Sequence, residues 1–212
     1  MMALFISALV TFFVVIDPPG CAPIFAGLTA GATNAHARTM AVRAVFVATL
    51  ILLVFALFGE VLLRSLGITL ESFRIAGGIM LFLIALDMVF EKRTERREER
   101  AQRIRETPEV EDISIFPMAM PMIAGPGSIA SVMLLMSKSE GLEQSLVVLG
   151  AMLTILLLTL VALIAARPIL QLVGDKVEAV ITRLLGVLLA ALAAQFVIDG
   201  IRASLAAAPL VH

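Results

Sequence analysis

The chain has a single cysteine, Cys21, among its 212 residues, so no disulfide can form within it and no covalent staple holds its fold. Charge is scarce too: 16% of residues are Asp, Glu, Lys or Arg, against about 25% in soluble domains. Fifteen of these charges crowd between Glu91 and Asp112, leaving most of the chain nearly bare. The first 16 residues carry none, so the basic start of a secretory signal peptide is missing, and no small-residue cleavage pattern follows. The N-terminal segment is therefore expected to stay as a membrane segment. There is no Ser/His/Asp set, no phosphate-cradling loop and no metal-ligand spacing, and the two histidines, His36 and His212, lie far apart. These absences argue against an enzyme, and no cofactor, metal or nucleic-acid partner is expected.

What the sequence does have is apolar length. Apolar residues make up 60% of the chain and the mean hydropathy is +1.05. That composition excludes a soluble α/β enzyme and a disordered chain. A helix needs about 20 mostly apolar residues to cross a bilayer. Six stretches qualify: 3–30, 41–63, 73–90, 113–136, 146–166 and 182–201. The fold expected is an all-α polytopic membrane protein with the lipid bilayer as its solvent. If both termini face outward, twelve basic residues fall on the inner side (Arg38, Arg43, seven from Lys92 to Arg105, Arg167, Lys176 and Arg183). Only Arg64, Arg74, Lys138 and Arg202 fall outside. Basic residues favour the cytoplasmic side, which places the 91–112 loop there. With eight acidic and seven basic residues, that loop reads as a solvated linker.

The two halves follow one plan. A shift of 107 residues lays Pro19-Gly20 on Pro126-Gly127 and Gly67 on Gly174; two inserted residues then bring Arg74 onto Arg183 and Gly77 onto Gly186. Three spans per half is an odd number, so the second half inserts upside down relative to the first. This predicts a 3+3 inverted repeat, with residues 1–90 as the first unit, 91–112 as linker and 113–212 as the second unit. In secondary transporters with that plan, Gly/Pro-interrupted segments in matching places mark the binding site.

Two such interruptions stand out. Asp17-Pro18-Pro19-Gly20-Cys21-Ala22-Pro23 lies within the first span. Its prolines deprive the carbonyls of Val14 and Val15 of helical partners, while Asp17 suits the cap of a second half-helix. Amides near Gly20 and Cys21 are expected to form an anion site, and freed carbonyls with the Asp17 carboxylate an ammonium or proton site. Ile123-Ala124-Gly125-Pro126-Gly127-Ser128-Ile129 repeats the break in the fourth span, with two glycines for close ligand approach and the Ser128 hydroxyl at the new helix start. The substrate-binding residues expected are Asp17, Pro19, Gly20, Cys21, Gly125, Pro126, Gly127 and Ser128. Paired breaks with dipole ends of both signs suit a zwitterion.

Asp17-Pro-Pro-Gly-Cys-Ala-Pro-Ile-Phe25, Ile75-Ala-Gly-Gly-Ile79 and Ile123-Ala-Gly-Pro-Gly-Ser-Ile129 resemble signatures of the MarC family, also called the neutral amino acid transporter family or UPF0056. The resemblance covers essentially the whole chain. It implies a cytoplasmic-membrane protein related to the LysE exporters. Some members are described as proton-coupled carriers of small neutral amino acids, and an early link to multiple antibiotic resistance gave the name. Many members carry an asparagine where Cys21 stands, so any substrate contact there differs in this chain.

Asp87, at the inner end of the third span, reads either as an interfacial carboxylate or as a proton relay. Glu60 and Asp199 read as interfacial groups, and Arg74 and Arg183 as snorkelling ones. The function expected is gradient-driven transport of a small neutral solute, because no ATP-binding motif is present. The alternative is a non-transporting scaffold or stress-response factor working through its charged linker. Homo-oligomerisation is left open.

Overall fold

A computed structural model describes residues 1–90, 112–166 and 175–207. The 91–111 part of the expected linker, the Gly174 match to Gly67, and His212 lie outside the described residues. Among the described residues eight helical segments follow in order: α1 (Met2–Ile16), α2 (Pro18–Leu28), α3 (Asn34–Ser65), α4 (Leu70–Val89), α5 (Ser114–Ile123), α6 (Pro126–Ser137), α7 (Gly141–Ile164) and α8 (Asp175–Ala207). Among the described residues there is no strand.

Five stretches are long and apolar enough to cross a membrane: Met2–Leu28, Asn34–Ser65, Leu70–Val89, Gly141–Ile164 and Arg183–Ala206. The pair α5 and α6, bent by 52°, makes a sixth if it counts as one span. The six stretches expected from the sequence are thus matched by five, or by six if that bent pair is one span. At about 1.5 Å per residue, α3 runs to about 48 Å, well beyond a 30 Å hydrocarbon core, so it must tilt or project. Outward-facing Phe46, Val54, Phe58, Leu157, Val161 and Leu184 are exposed to what would be lipid. The face where α1 starts and α3 meets α4 is called here the terminal face; the opposite one, where α4 ends and α8 starts, is the linker face.

Local chemistry sets the boundaries. The Thr33 hydroxyl caps α3 by accepting from the amide of His36, and Thr69 caps α4 by accepting from that of Ser72. Between these helices Gly67 turns the chain at φ 71°, a left-handed conformation that glycine adopts freely. Segment α5 departs from the regular helix expected there. Phe116 and Met120 are extended (φ −128° and −135°), each preceding a proline through a cis bond. A residue before proline is driven out of the helical region by the ring, so Pro117 and Pro121 break this segment twice. Its bonds reach five residues back, from the amide of Met118 to the carbonyl of Ile113 (3.3 Å) and from that of Ala124 to Ala119 (2.9 Å).

The most extensive helix contact joins α4 to α8 in antiparallel fashion. Gly78 lies against Val197 and the Ala193 carbonyl, Gly186 against Met88 and the Ala85 carbonyl, and Gly200 against Ile75 and the Glu71 carbonyl. A Cβ at any of the three would sit 2.8–3.1 Å from those atoms, so the bare backbones let the helices approach closely. Around this pair, α1 and α2 pack on α7, α5 and α6 pack on α3, and α3 meets α7.

Candidate solute site at two helix breaks

Helix α1 stops because Pro18 and Pro19 cannot donate to the preceding turn. Asp17 takes a left-handed conformation (φ 60°, ψ 66°), which Asp tolerates better than most residues, and its amide still donates to the Phe13 carbonyl at 2.9 Å. Its carboxylate Oδ1 folds back to accept from the Gly20 amide at 3.1 Å, while its carbonyl accepts from the Cys21 amide at 3.0 Å. Asp17 is thus the cap that the sequence suggested, and it is 3% exposed. The anion site expected at the amides of Gly20 and Cys21 is not formed, because Asp17 occupies both. Gly20 is required locally: a Cβ there would overlap the Asp17 carboxylate.

The second break is built differently. Ala124 and Gly125 carry the chain from α5 to α6, and Pro126 opens α6. A Cβ on Gly125 would overlap the carbonyl oxygen of Pro121, so the cap position of α6 admits no side chain. Helix α6 accordingly has no side-chain cap, and the amides of Gly127 and Ser128 have no acceptor among the described residues. Unsatisfied amides at a helix start carry partial positive charge, the chemistry that binds a carboxylate.

One hydrogen bond repeats across the breaks. The Cys21 thiol donates to the Ile16 carbonyl at 3.4 Å, and the Ser128 hydroxyl donates to the Ile123 carbonyl at 2.7 Å. Each donor lies five residues beyond the last carbonyl of the preceding segment, and the two pairs are related by the same shift of 107. Cys21 and Ser128 therefore close the backbone at their own breaks rather than presenting free polar atoms.

The breaks abut. A Cβ on Gly127 would lie 3.1 Å from Val15 Cγ1, two residues before Asp17, and 2.6 Å from Ile84 Cδ1 of α4. Among the described residues, Val15 and Ile84 fill the space before Gly127, and Gly20 faces its own cap. Pro19 and Pro126 are the more exposed members of the set, whereas Gly125, Gly127 and Ser128 are buried. Two cavities of about 350 Å³ lie elsewhere. One is on the terminal face, lined by Glu60, Met133, Met136, Ser137, Ser139 and Ser145; the other is on the linker face, lined by Phe25, Thr29, Arg38 and Leu163 among others. Asp87 is half-buried in the last turn of α4, one turn past Ile84, at the linker face.

Sequence reasoning missed a polar cluster on the terminal face. Arg74 of α4 donates to the Ser137 carbonyl at the end of α6 (3.1 Å). Lys138 pairs with Asp199 of α8 and lies 4.6 Å over the Phe196 ring, and Gln195 donates to the other Asp199 oxygen at 2.7 Å. Arg74 and Ser137 are 63 residues apart and Lys138 and Asp199 61, and no spacing rule joins either pair. On the linker face, Arg43 pairs with Asp112 at 2.8 Å. Hydrogen bonding from Ser114, with the Arg43 guanidinium beside it, holds the Asp112 carboxyl below its ordinary value of 3.8.

Five membrane stretches, or six if the bent pair is one, with abutting helix breaks at Asp17 and at Ala124–Gly125, define a polytopic α-helical membrane protein of the broken-helix kind. The chain belongs to the MarC family: the model of "MarC family integral membrane protein" matches residues 2–205. It is 36% identical over 201 residues to the UPF0056 membrane protein MJ1677 of Methanocaldococcus jannaschii, covering 95% of this chain and 97% of that one. It is 34% identical to the UPF0056 inner membrane protein YhgN of Escherichia coli K12 (93% and 95% covered) and 31% identical to the UPF0056 membrane protein YvbG of Bacillus subtilis (95% and 96%). No solved structure matches the chain.

Proposed function

We propose that this protein is a secondary transporter of small neutral amino acids, proton-coupled and working by alternating access around its two breaks. The observation that carries this reading is their opposite character at close quarters. A buried carboxylate, Asp17, ends one break, and the bare amides of Gly127 and Ser128 begin the other. An amino acid presents the complementary pair, an ammonium for the first and a carboxylate for the second. Asp17 is also the group placed to exchange a proton within the membrane, with Asp87 as its relay toward the linker face.

The 3+3 inverted repeat belongs to this proposal. Its support is the matched pair of bonds, Cys21 to Ile16 and Ser128 to Ile123, together with the exchange of contacts between halves. Helices α1 and α2 pack on α7 as α5 and α6 pack on α3, while α3 meets its own counterpart α7 and α4 meets α8. Two halves so related can rock about the abutting breaks, opening one face as the other closes. The proposed setting is the inner membrane, as in the name of the E. coli relative, with both termini outside and residues 91–112 in the cytoplasm by the distribution of basic residues.

The test is uptake of labelled alanine and glycine by proteoliposomes holding the purified protein, with and without an inward proton gradient. Saturable uptake that rises with the gradient is expected. No uptake across a broad panel of neutral amino acids would refute the proposal.

A further inference from the structure

A cavity of about 350 Å³ lies at each face, and the shift of 107 that relates the breaks relates the cavities too. It carries Thr29 and Arg38 of the linker-face cavity forward onto Met136 and Ser145, and Leu163 and Ile164 back onto Ala56 and Leu57. All four of those residues line the terminal-face cavity. Each pocket is thus walled by a half-helix leaving a break (α2 or α6), the start of the next long helix (α3 or α7) and the end of the other one. Charge is what differs between them. The terminal-face cavity holds a carboxylate, Glu60, already bonded to Arg64 at 2.7 Å. The linker-face cavity holds a guanidinium, Arg38, and among the described residues no acid lines it.

Three arginines of α3 and α4 are paired: Arg43 with Asp112, Arg64 with Glu60 and Arg74 with Ser137. Arg38, the first arginine of α3, has no such partner among the described residues. It stands at the cavity rim with exposed Asn34 and Ile164, above a buried floor of Phe25, Ala37 and Leu163. Two exposed apolar stripes run from that rim away from the linker face. On α3, Val42 and Phe46 follow Arg38 at intervals of four, so the three share one side of the helix over about 12 Å. On α7, exposed Val161 and Leu157 precede Ile164 at helical spacing.

We propose that the linker-face cavity is a binding site for an anionic phospholipid. The phosphodiester accepts from the Arg38 guanidinium, the headgroup enters the cavity, and the acyl chains follow the stripes of α3 and α7. A guanidinium meets a phosphate through parallel N–H bonds, and basic pockets between membrane helices suit lipid headgroups. A soluble anion would satisfy Arg38 and leave both stripes unused, whereas a phospholipid engages all three. The lipid must carry net negative charge, because a zwitterionic headgroup brings its own cation beside the phosphate. The terminal-face cavity, with a carboxylate instead of a free guanidinium, disfavours the same lipid. This site is independent of the transport reading.

The test uses the full-length protein, stripped of lipid in a neutral detergent. Phosphatidylglycerol is the anionic probe, phosphatidylcholine the zwitterionic one and glycerol phosphate the soluble anion. Affinity is read from the rise in Tm as each is titrated, and retained lipid is counted by native mass spectrometry. Phosphatidylglycerol is expected to raise Tm saturably, and the other two to leave it unchanged. Arg38→Gln should melt as the wild type does without lipid, since Arg38 is exposed and unpaired among the described residues. It should bind phosphatidylglycerol about tenfold or more weakly, as the loss of a hydrogen bond between charged groups does, and retain one molecule fewer. Arg202→Gln removes one exposed positive charge from the far end of α8 and should bind as the wild type does. Unchanged binding by Arg38→Gln overturns the proposal, and so does equal weakening by Arg202→Gln, which would make the effect one of net charge. An equal rise with phosphatidylcholine refutes the recognition of charge. An equal rise with glycerol phosphate makes the site one for a soluble anion and refutes the lipid.

Discussion

Asp17 has two separable duties, and substitution can tell them apart. As a cap, its carboxylate accepts from the Gly20 amide at 3.1 Å, and as a hinge it holds φ 60° between α1 and α2. Asp17→Ala removes the cap, at about 1 kcal/mol, and puts a methyl side chain into a left-handed conformation that costs about 1–2 kcal/mol more. The expected loss is about 2–3 kcal/mol, a fall in Tm of about 4–12 °C at this chain length. Asp17→Asn caps as well as Asp and tolerates the same backbone, so its Tm should stay within about 2 °C of wild type. Asp17→Gly should fall between them, because glycine relieves the backbone and is a fair cap by itself. Cys21 supplies the assay. It is the only cysteine and fully buried, so a thiol-reactive dye reports unfolding with no engineered label. If Asp17→Ala melts with the wild type, the cap and hinge reasoning is wrong. Transport then isolates the charge: Asp17→Asn should be folded and inactive, and near-normal alanine uptake by it would reduce Asp17 to a structural part.

Gly127→Ala should destabilise by about 1–3 kcal/mol, since its Cβ lands 2.6 Å from Ile84 Cδ1 and 3.1 Å from Val15, whereas Gly150→Ala, which meets nothing within 4 Å inside α7, should be neutral or stabilising by up to about 1 kcal/mol in the same dye assay. Gly67 is unsuitable as a mild control because of its φ of 71°. Lys138→Ala and Asp199→Ala should each destabilise, and the double variant should show a coupling of about 1 kcal/mol by a double-mutant cycle; additive losses would mean that the pair is incidental. The Arg43–Asp112 contact should be acid-sensitive: with the Asp112 carboxyl depressed in the folded state, its contribution is present above the unfolded value of 3.8 and disappears as pH falls through the lowered one. Asp112→Asn should flatten that part of the Tm–pH curve, and the step should be small because both side chains are exposed.

The spans were legible because apolar length is a one-dimensional property, and lipid selects on it directly. The breaks were legible because proline acts on its own neighbours: Pro18 and Pro126 each open a helix where the sequence placed one. Use of the polar atoms at those breaks was not legible, since it depends on dihedral angles. The left-handed turn at Asp17 folds its carboxylate onto the Gly20 amide, and so converts an expected anion site into a closed cap. Pairing between elements was also hidden. Arg74 with Ser137 and Lys138 with Asp199 exist because α4, α6 and α8 end together on one face, and each charge alone looks like an interfacial anchor.

The difference between the two breaks follows from a few residues that the repeat does not share. A shift of 107 carries Pro19, Gly20 and Cys21 onto Pro126, Gly127 and Ser128, with the Cys21 and Ser128 bonds in common, but it carries Asp17 onto Ala124 and Pro18 onto Gly125. The first break therefore brings its own acceptor, and its amides are closed. At the second, α5 reaches the break by an irregular path that leaves the Pro121 carbonyl where a Cβ of residue 125 would be. That carbonyl forces glycine at the cap position, and glycine has no side chain with which to satisfy the amides beyond it. One break is thus closed by a carboxylate of the chain, and at the other the amides of Gly127 and Ser128 have no acceptor among the described residues.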